Sequence, residues 1–178
     1  PNYTGNGLQG ALRAGSIRSY YLENSNNKLD LNIDVKGPYR LNYNRKYYGE
    51  NKNGSQDWDK ISIMVREAIR QADADSTVDF KKYDNDGDGE VDAIHIIFAG
   101  NSEASTLDPD DIWPWRSNLT PTLPEPDGKK VRIYSISSEF QGTRKNVMAG
   151  IGVTCHELTH VLGLPDWYDT DYDERGGK

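Results

Sequence analysis

The chain has 178 residues, 35% of them hydrophobic, enough for one sizeable core, so a single domain is expected. Its 28 acidic and 21 basic residues leave a net charge of −7, which repels phosphate backbones and anionic lipid headgroups; no nucleic acid and no membrane surface is expected as a partner. A single cysteine, Cys155, excludes an intrachain disulfide, and no apolar run approaches the roughly 18 residues of a spanning helix.

In chain order, Ser16 is placed to cap a short helix over Ile17 to Glu23, ended by Asn24 to Asn27. Leu29, Leu31, Ile33 and Val35 then alternate with Asp30, Asn32 and Asp34, which predicts a strand with one apolar face, broken by Gly37-Pro38. Tyr43 to Ser55 reads as a polar loop. Ile61, Met64, Val65, Ala68, Ile69 and Ala72 recur at three- and four-residue spacing and predict an amphipathic helix over roughly residues 57 to 74. Asp92 to Ala99 reads as a buried strand closed by Gly100. Asn101 to Lys130 reads as a long loop, with Trp113 and Trp115 as candidate cleft walls. Val131 to Ser137 alternates again and predicts another strand, after which Gly142 to Asn146 leads into a final helix.

That helix carries the chemistry. His156 and His160 are four residues apart, so both imidazoles project from one helical face and can bind one metal ion. Zinc suits such ligands; it polarises a peptide carbonyl and acidifies a bound water, and Glu157 beside them is the candidate general base. Gly163 permits a left-handed turn at the helix end, which would bring Asp166 back as a third ligand. The alternative for Asp166 is a turn or capping role, and Asp169, Asp171 and Asp173 are rival carboxylates. The run His156-Glu157-x-x-His160-x-x-Gly163-x-x-Asp166 is the elongated metzincin pattern, with aspartate where a third histidine is usual. Cys155 is rotated about 100° from His156 around the helix and reads as a buried, inert thiol. His95, within an apolar strand, reads as a core or edge residue outside the site.

A second ion site is suggested by Asp84-Asn85-Asp86-Gly87-Asp88-Gly89-Glu90-Val91-Asp92. Asp84, Asp86, Asp88 and Asp92 occupy positions one, three, five and nine, and Glu90 would contribute its backbone carbonyl. Oxygen ligands so spaced suit calcium, although His95 stands where a complete helix-loop-helix hand has a bidentate glutamate. The alternative is an acidic surface turn.

These residues resemble the immune inhibitor A-like bacterial metalloproteases, secreted metzincin-type enzymes. The resemblance rests on Gly15 to Tyr21 with Glu23-Asn24-Ser25, on Tyr47-Tyr48-Gly49, on Val78-Asp79-Phe80 leading into Tyr83 to Gly89, and on Ile151 to His156 continuing through Asp166 to Asp169. It implies an α+β, metzincin-like fold, a twisted mixed β-sheet backed by helices, with the zinc-motif helix below the cleft. It also implies His156, His160 and Asp166 as zinc ligands, Glu157 as acid/base, and a structural calcium site at residues 84 to 92. None of the residues after Asp166 is a methionine, whereas metzincins carry a methionine turn there. The chain is therefore expected to be a catalytic domain over 1–178, cut short at both ends.

The activity expected is zinc-dependent endopeptidase cleavage of extracellular proteins or peptides, by a monomer that is secreted from a bacterium or held at its surface. The alternatives are a noncatalytic, calcium-stabilised binding module of the same fold and a zinc hydrolase of small amides.

Overall fold

The structure is a computed structural model that describes residues 3–6, 12–120, 126–143 and 147–167. In chain order the elements are β1 (Tyr3–Asn6), β2 (Leu12–Gly15), α1 (Ile17–Asn24), α2 (Arg45–Gly49), β3 (Asn51–Lys52), β4 (Ser55–Gln56), α3 (Trp58–Asp73), β5 (Ile94–Phe98), α4 (Glu103–Thr106), β6 (Trp115–Asn118), β7 (Ile133–Ser138) and α5 (Ile151–Val161). β1 and β2 pair antiparallel, as do β3 and β4.

The largest sheet has the order β5-β7-β6, with β5 parallel and β6 antiparallel to β7. Alternation gives it two chemically different faces. Ile94, Ile96 and Phe98 of β5, with Tyr134 and Ile136 of β7, belong to the main core. α3 covers that face because Ile61, Met64, Val65 and Ile69 recur at helical spacing and are all buried there. Asp57 caps its start through the Asp59 amide. The other face carries His95, Ser135 and Ser137, and α5 packs against β7 and β6. A smaller apolar cluster joins α1 to α5 through Tyr21, Cys155 and Leu158. Ser16 starts α1 with a capping box shared with Ser19. The domain is thus a mixture of helices and small sheets, and no helix among the described residues is long and apolar enough to cross a membrane.

The strand expected over Leu29 to Val35 does not form: the segment pairs with no strand among the described residues. Leu29 and Leu31 turn into the α1/α5 cluster, whereas Ile33 and Val35 stand 45% and 88% exposed. Two of the alternating polar residues are engaged by side chains from other segments instead. Asp30 pairs with Arg18 at 2.5 Å, and Asp34 accepts from the Tyr83 hydroxyl at 2.9 Å. Both expected loops contain short elements. α2 and β3 lie within residues 43–55 and β4 begins at its end, while α4 and β6 lie within 101–130; at two to five residues each is too short to show a period. β5 is also less buried than expected: it is an edge strand, and Ile97 is 55% exposed on its second face.

Candidate metal centre

α5 runs from a Gly150 cap to a left-handed Gly163 (φ 88°), the turn anticipated from sequence. Beyond it the chain folds back, and the Leu164 carbonyl accepts from His160 Nδ1 at 2.8 Å. That bond assigns the proton to Nδ1 and leaves the Nε2 lone pair free for a metal.

Three atoms converge at the open end of this turn. His156 Nε2 and His160 Nε2 are 3.2 Å apart, and each lies 3.3 Å from Asp166 Oδ1. A tetrahedral zinc ion about 2.0–2.1 Å from nitrogen and oxygen ligands spreads them about 3.3–3.4 Å apart, so the triangle fits that ion. Asp166 Oδ1 is buried and has no hydrogen-bond partner, an arrangement that costs free energy unless a cation meets it. The site therefore brings together the three residues that sequence spacing singled out. Asp169, Asp171 and Asp173 lie outside the described residues.

Glu157, one residue along, is 6% exposed. Burial pushes its carboxyl up to about 7; His160 partly opposes this and the Asp166 charge adds to it. Cys155 is buried, and burial pushes its thiol up to about 11, as an inert core sulfur requires. The helix is fastened to α1 by the Tyr21 hydroxyl, 2.7 Å from the Cys155 carbonyl and 3.0 Å from Thr159 Oγ1. Burial pushes that phenol up to about 12.

A pocket beside the triangle is lined by Tyr20, Gly152, Thr159, Pro165 and Trp167 together with His156, His160 and Asp166. Glu157 is not among its walls. Trp113 and Trp115, the expected cleft walls, are not there either. Trp115 points to the α3 face of the sheet and packs on Trp58 with ring centroids 5.0 Å apart, while the Trp113 amide donates to Gln56 at 2.9 Å. The walls that sequence reasoning missed are Tyr20 and Trp167. Trp167 adjoins Asp166, whereas only long-range packing brings Tyr20 to the pocket.

The acidic loop is partly assembled. Carboxylate oxygens of Asp84, Asp86 and Asp88 lie within 4.8 Å of one another. Gly87 and Gly89 are left-handed (φ 76° and 88°), and the Gly89 amide donates to Asp84 at 3.1 Å. Asp84 is nearly fully buried; one oxygen meets Lys129 Nζ at 2.5 Å and the other has no partner. The Glu90 side chain pairs with Arg132 at 2.6 Å, which leaves its backbone carbonyl a separate group, and Asp92 accepts from the Asn85 side chain. The loop thus gathers three of the four expected carboxylates, and Asp92 is not among the gathered group.

Comparison with known proteins gives the chain a family. Residues 2–178 match the family model described as immune inhibitor A peptidase M6, catalytic domain. The chain is 32% identical over 181 aligned residues to the pre-pro-metalloprotease PrtV of Vibrio cholerae serotype O1, covering 90% of this chain and 20% of that protein. It is also 32% identical over 132 residues to the immune inhibitor A of Bacillus thuringiensis subsp. alesti, covering 64% of this chain and 19% of that protein. The chain therefore spans about a fifth of the length of these relatives.

Proposed function

The chain belongs to the immune inhibitor A peptidase M6 family, and from that premise we propose that it is the catalytic domain of a secreted, zinc-dependent endopeptidase with a metzincin-like fold. The observation that carries the reading is the near-equilateral triangle of His156 Nε2, His160 Nε2 and Asp166 Oδ1, at 3.2–3.3 Å on each side. These three side chains would hold the zinc. When bound, it supplies a Lewis acid that polarises the scissile carbonyl and acidifies the attacking water.

The chain's own groups do the rest. Glu157, beside His156 on α5, would take the water's proton and pass it to the departing amine; burial raises its carboxyl above the usual carboxylate range, which favours the proton-holding role. The Leu164 carbonyl keeps His160 in the ligating tautomer. Tyr20 and Trp167 offer aromatic walls for a substrate side chain next to the metal. An extended peptide would add along the outer edge of β6, which pairs with no further strand among the described residues, with main-chain hydrogen bonds giving sequence-tolerant binding. A monomer acting on extracellular proteins fits this arrangement.

Asp84, Asp86 and Asp88 would take a structural calcium, supported by the partnerless buried oxygen of Asp84. With that ion, the Lys129 ammonium would give way to the stronger charge.

The reading is tested by cleavage of unfolded casein. We expect cleavage that a chelator abolishes and zinc restores. Glu157→Gln, with its metal retained, is expected to be slower by roughly 10²–10⁴. Cleavage indifferent to both would contradict the proposal.

A further inference from the structure

The sheet face beneath α5 is polar where an apolar surface would ordinarily seat a helix. Ser135 and Ser137 of β7 are 0% and 2% exposed, and His95 of β5 lies on the same face, opposite Ser135 in the ladder. His95 Nδ1 is 2.8 Å from Ser135 Oγ and its Nε2 is 2.8 Å from Ser137 Oγ. Ser137 Oγ in turn lies 3.0 Å from Thr154 Oγ1, on α5 two residues before His156. The four side chains thus make a continuous chain from an edge strand, through the central strand, into the helix that carries the metal triangle.

Hydrophobic contact is non-directional and lets a helix slide or turn on its seat, whereas a hydrogen bond fixes both register and rotation. The apolar contacts of α5 are few: Cys155 and Leu158, with Ile151, in the small cluster shared with α1. Thr154 bonds the helix to the sheet, and Thr159, five residues on, bonds it to Tyr21 of α1. The two threonines bracket His156 and Glu157, so a rotation of α5 would break one anchor or the other. A neutral imidazole gives one donor and one acceptor, and each hydroxyl can do either, so the network can be fully satisfied without a charge. Burial alone, pushing His95 down to about 4, keeps it neutral.

We propose that His95, Ser137 and Thr154 are positioning residues of the metal centre: their buried hydrogen-bond chain sets the rotation of α5 on the sheet and thereby the placement of His156, Glu157 and His160. The inference rests on the zinc endopeptidase reading above. Its distinguishing property is that removing one hydroxyl should disturb the metal and the turnover, not only the stability.

The experiment compares wild type, Thr154→Val, Ser137→Ala and Thr154→Ser in zinc affinity by chelator competition, in kcat and KM for a quenched peptide, and in the visible spectrum after cobalt substitution. Valine matches threonine in shape and lacks only the hydroxyl. Thr154→Val and Ser137→Ala are each expected to lower zinc affinity and kcat by about tenfold, in the range seen for groups that orient metal ligands, with KM little changed. The cobalt spectrum should shift, and Thr154→Ser should restore both quantities to within about twofold of wild type. Two variants are used because either may fold poorly; whichever keeps the wild-type circular dichroism carries the test. A folded variant that melts lower yet keeps wild-type zinc affinity, kcat and spectrum would overturn the inference and leave the network a purely structural one. A wild type that binds no zinc overturns the parent reading first, and is recognised before any variant is made.

Discussion

Position 95 shows how one residue ties stability to pH. In the folded state His95 is held neutral at about 4, against 6.5 for the free side chain. Arg116, paired opposite Ser135 on the same sheet face, offers a cationic imidazole no compensation. The unfolded chain therefore takes up a proton that the folded chain refuses. Stability is fully present above about pH 6.5 and falls as the pH drops towards 4, by about 3 kcal/mol in all. Urea midpoints at pH 7 and pH 4.5 measure this, and His95→Gln should flatten the difference; an unchanged slope in that variant would contradict it. At this scale the triad was legible from sequence, because helical spacing and one left-handed glycine determine where His156, His160 and Asp166 go. Tyr20, Tyr21 and the Leu164 carbonyl were not, since their roles arise from contacts between segments that are distant in the chain or from a carbonyl that any residue could supply. The Ser135-Ser137 pair was read only as strand alternation; its partnership with His95 needs the β5–β7 register.

Among the elements, α3, α5, β5 and β7 were readable because each carries a period or a closed apolar run over five or more residues. The alternation at Leu29 to Val35 misled, since period two describes any extended chain with one buried side and says nothing about whether a partner edge is available. Short α2 was invisible as a helix, yet its position is tightly constrained. A Cβ placed on Gly49 would meet the Asp110 carbonyl oxygen at 2.5 Å and the Asp111 carbonyl carbon at 2.7 Å. Backbone cannot swing aside as a flexible side chain can. Gly49→Ala should therefore push α2 off the 108–111 turn, breaking the Lys46–Asp110 pair at 2.5 Å and the Arg45–Asp111 pair. The expected cost is about 1–3 kcal/mol, read as a lower melting temperature; an unchanged melt would show that the turn shifts freely.

Over the whole molecule, the sheet divides labour between its faces. The α3 side supplies the apolar core, with Ile61, Val65 and Ile136 fully buried, and the α5 side supplies directional bonds to the helix that carries His156 and His160. The acidic loop lies in the connection between α3 and β5, where Asp92 N bonds the Tyr83 carbonyl at 2.8 Å, so an ion there would brace the entry to the sheet. The two proposed ion sites make one measurement decisive: elemental mass spectrometry of the purified protein and of His160→Ala, prepared side by side. About one zinc and about one calcium per wild-type chain are expected, with zinc lost and calcium kept in the variant. A wild type free of zinc, or a variant that retains it in full, would contradict the metal centre on which the account stands.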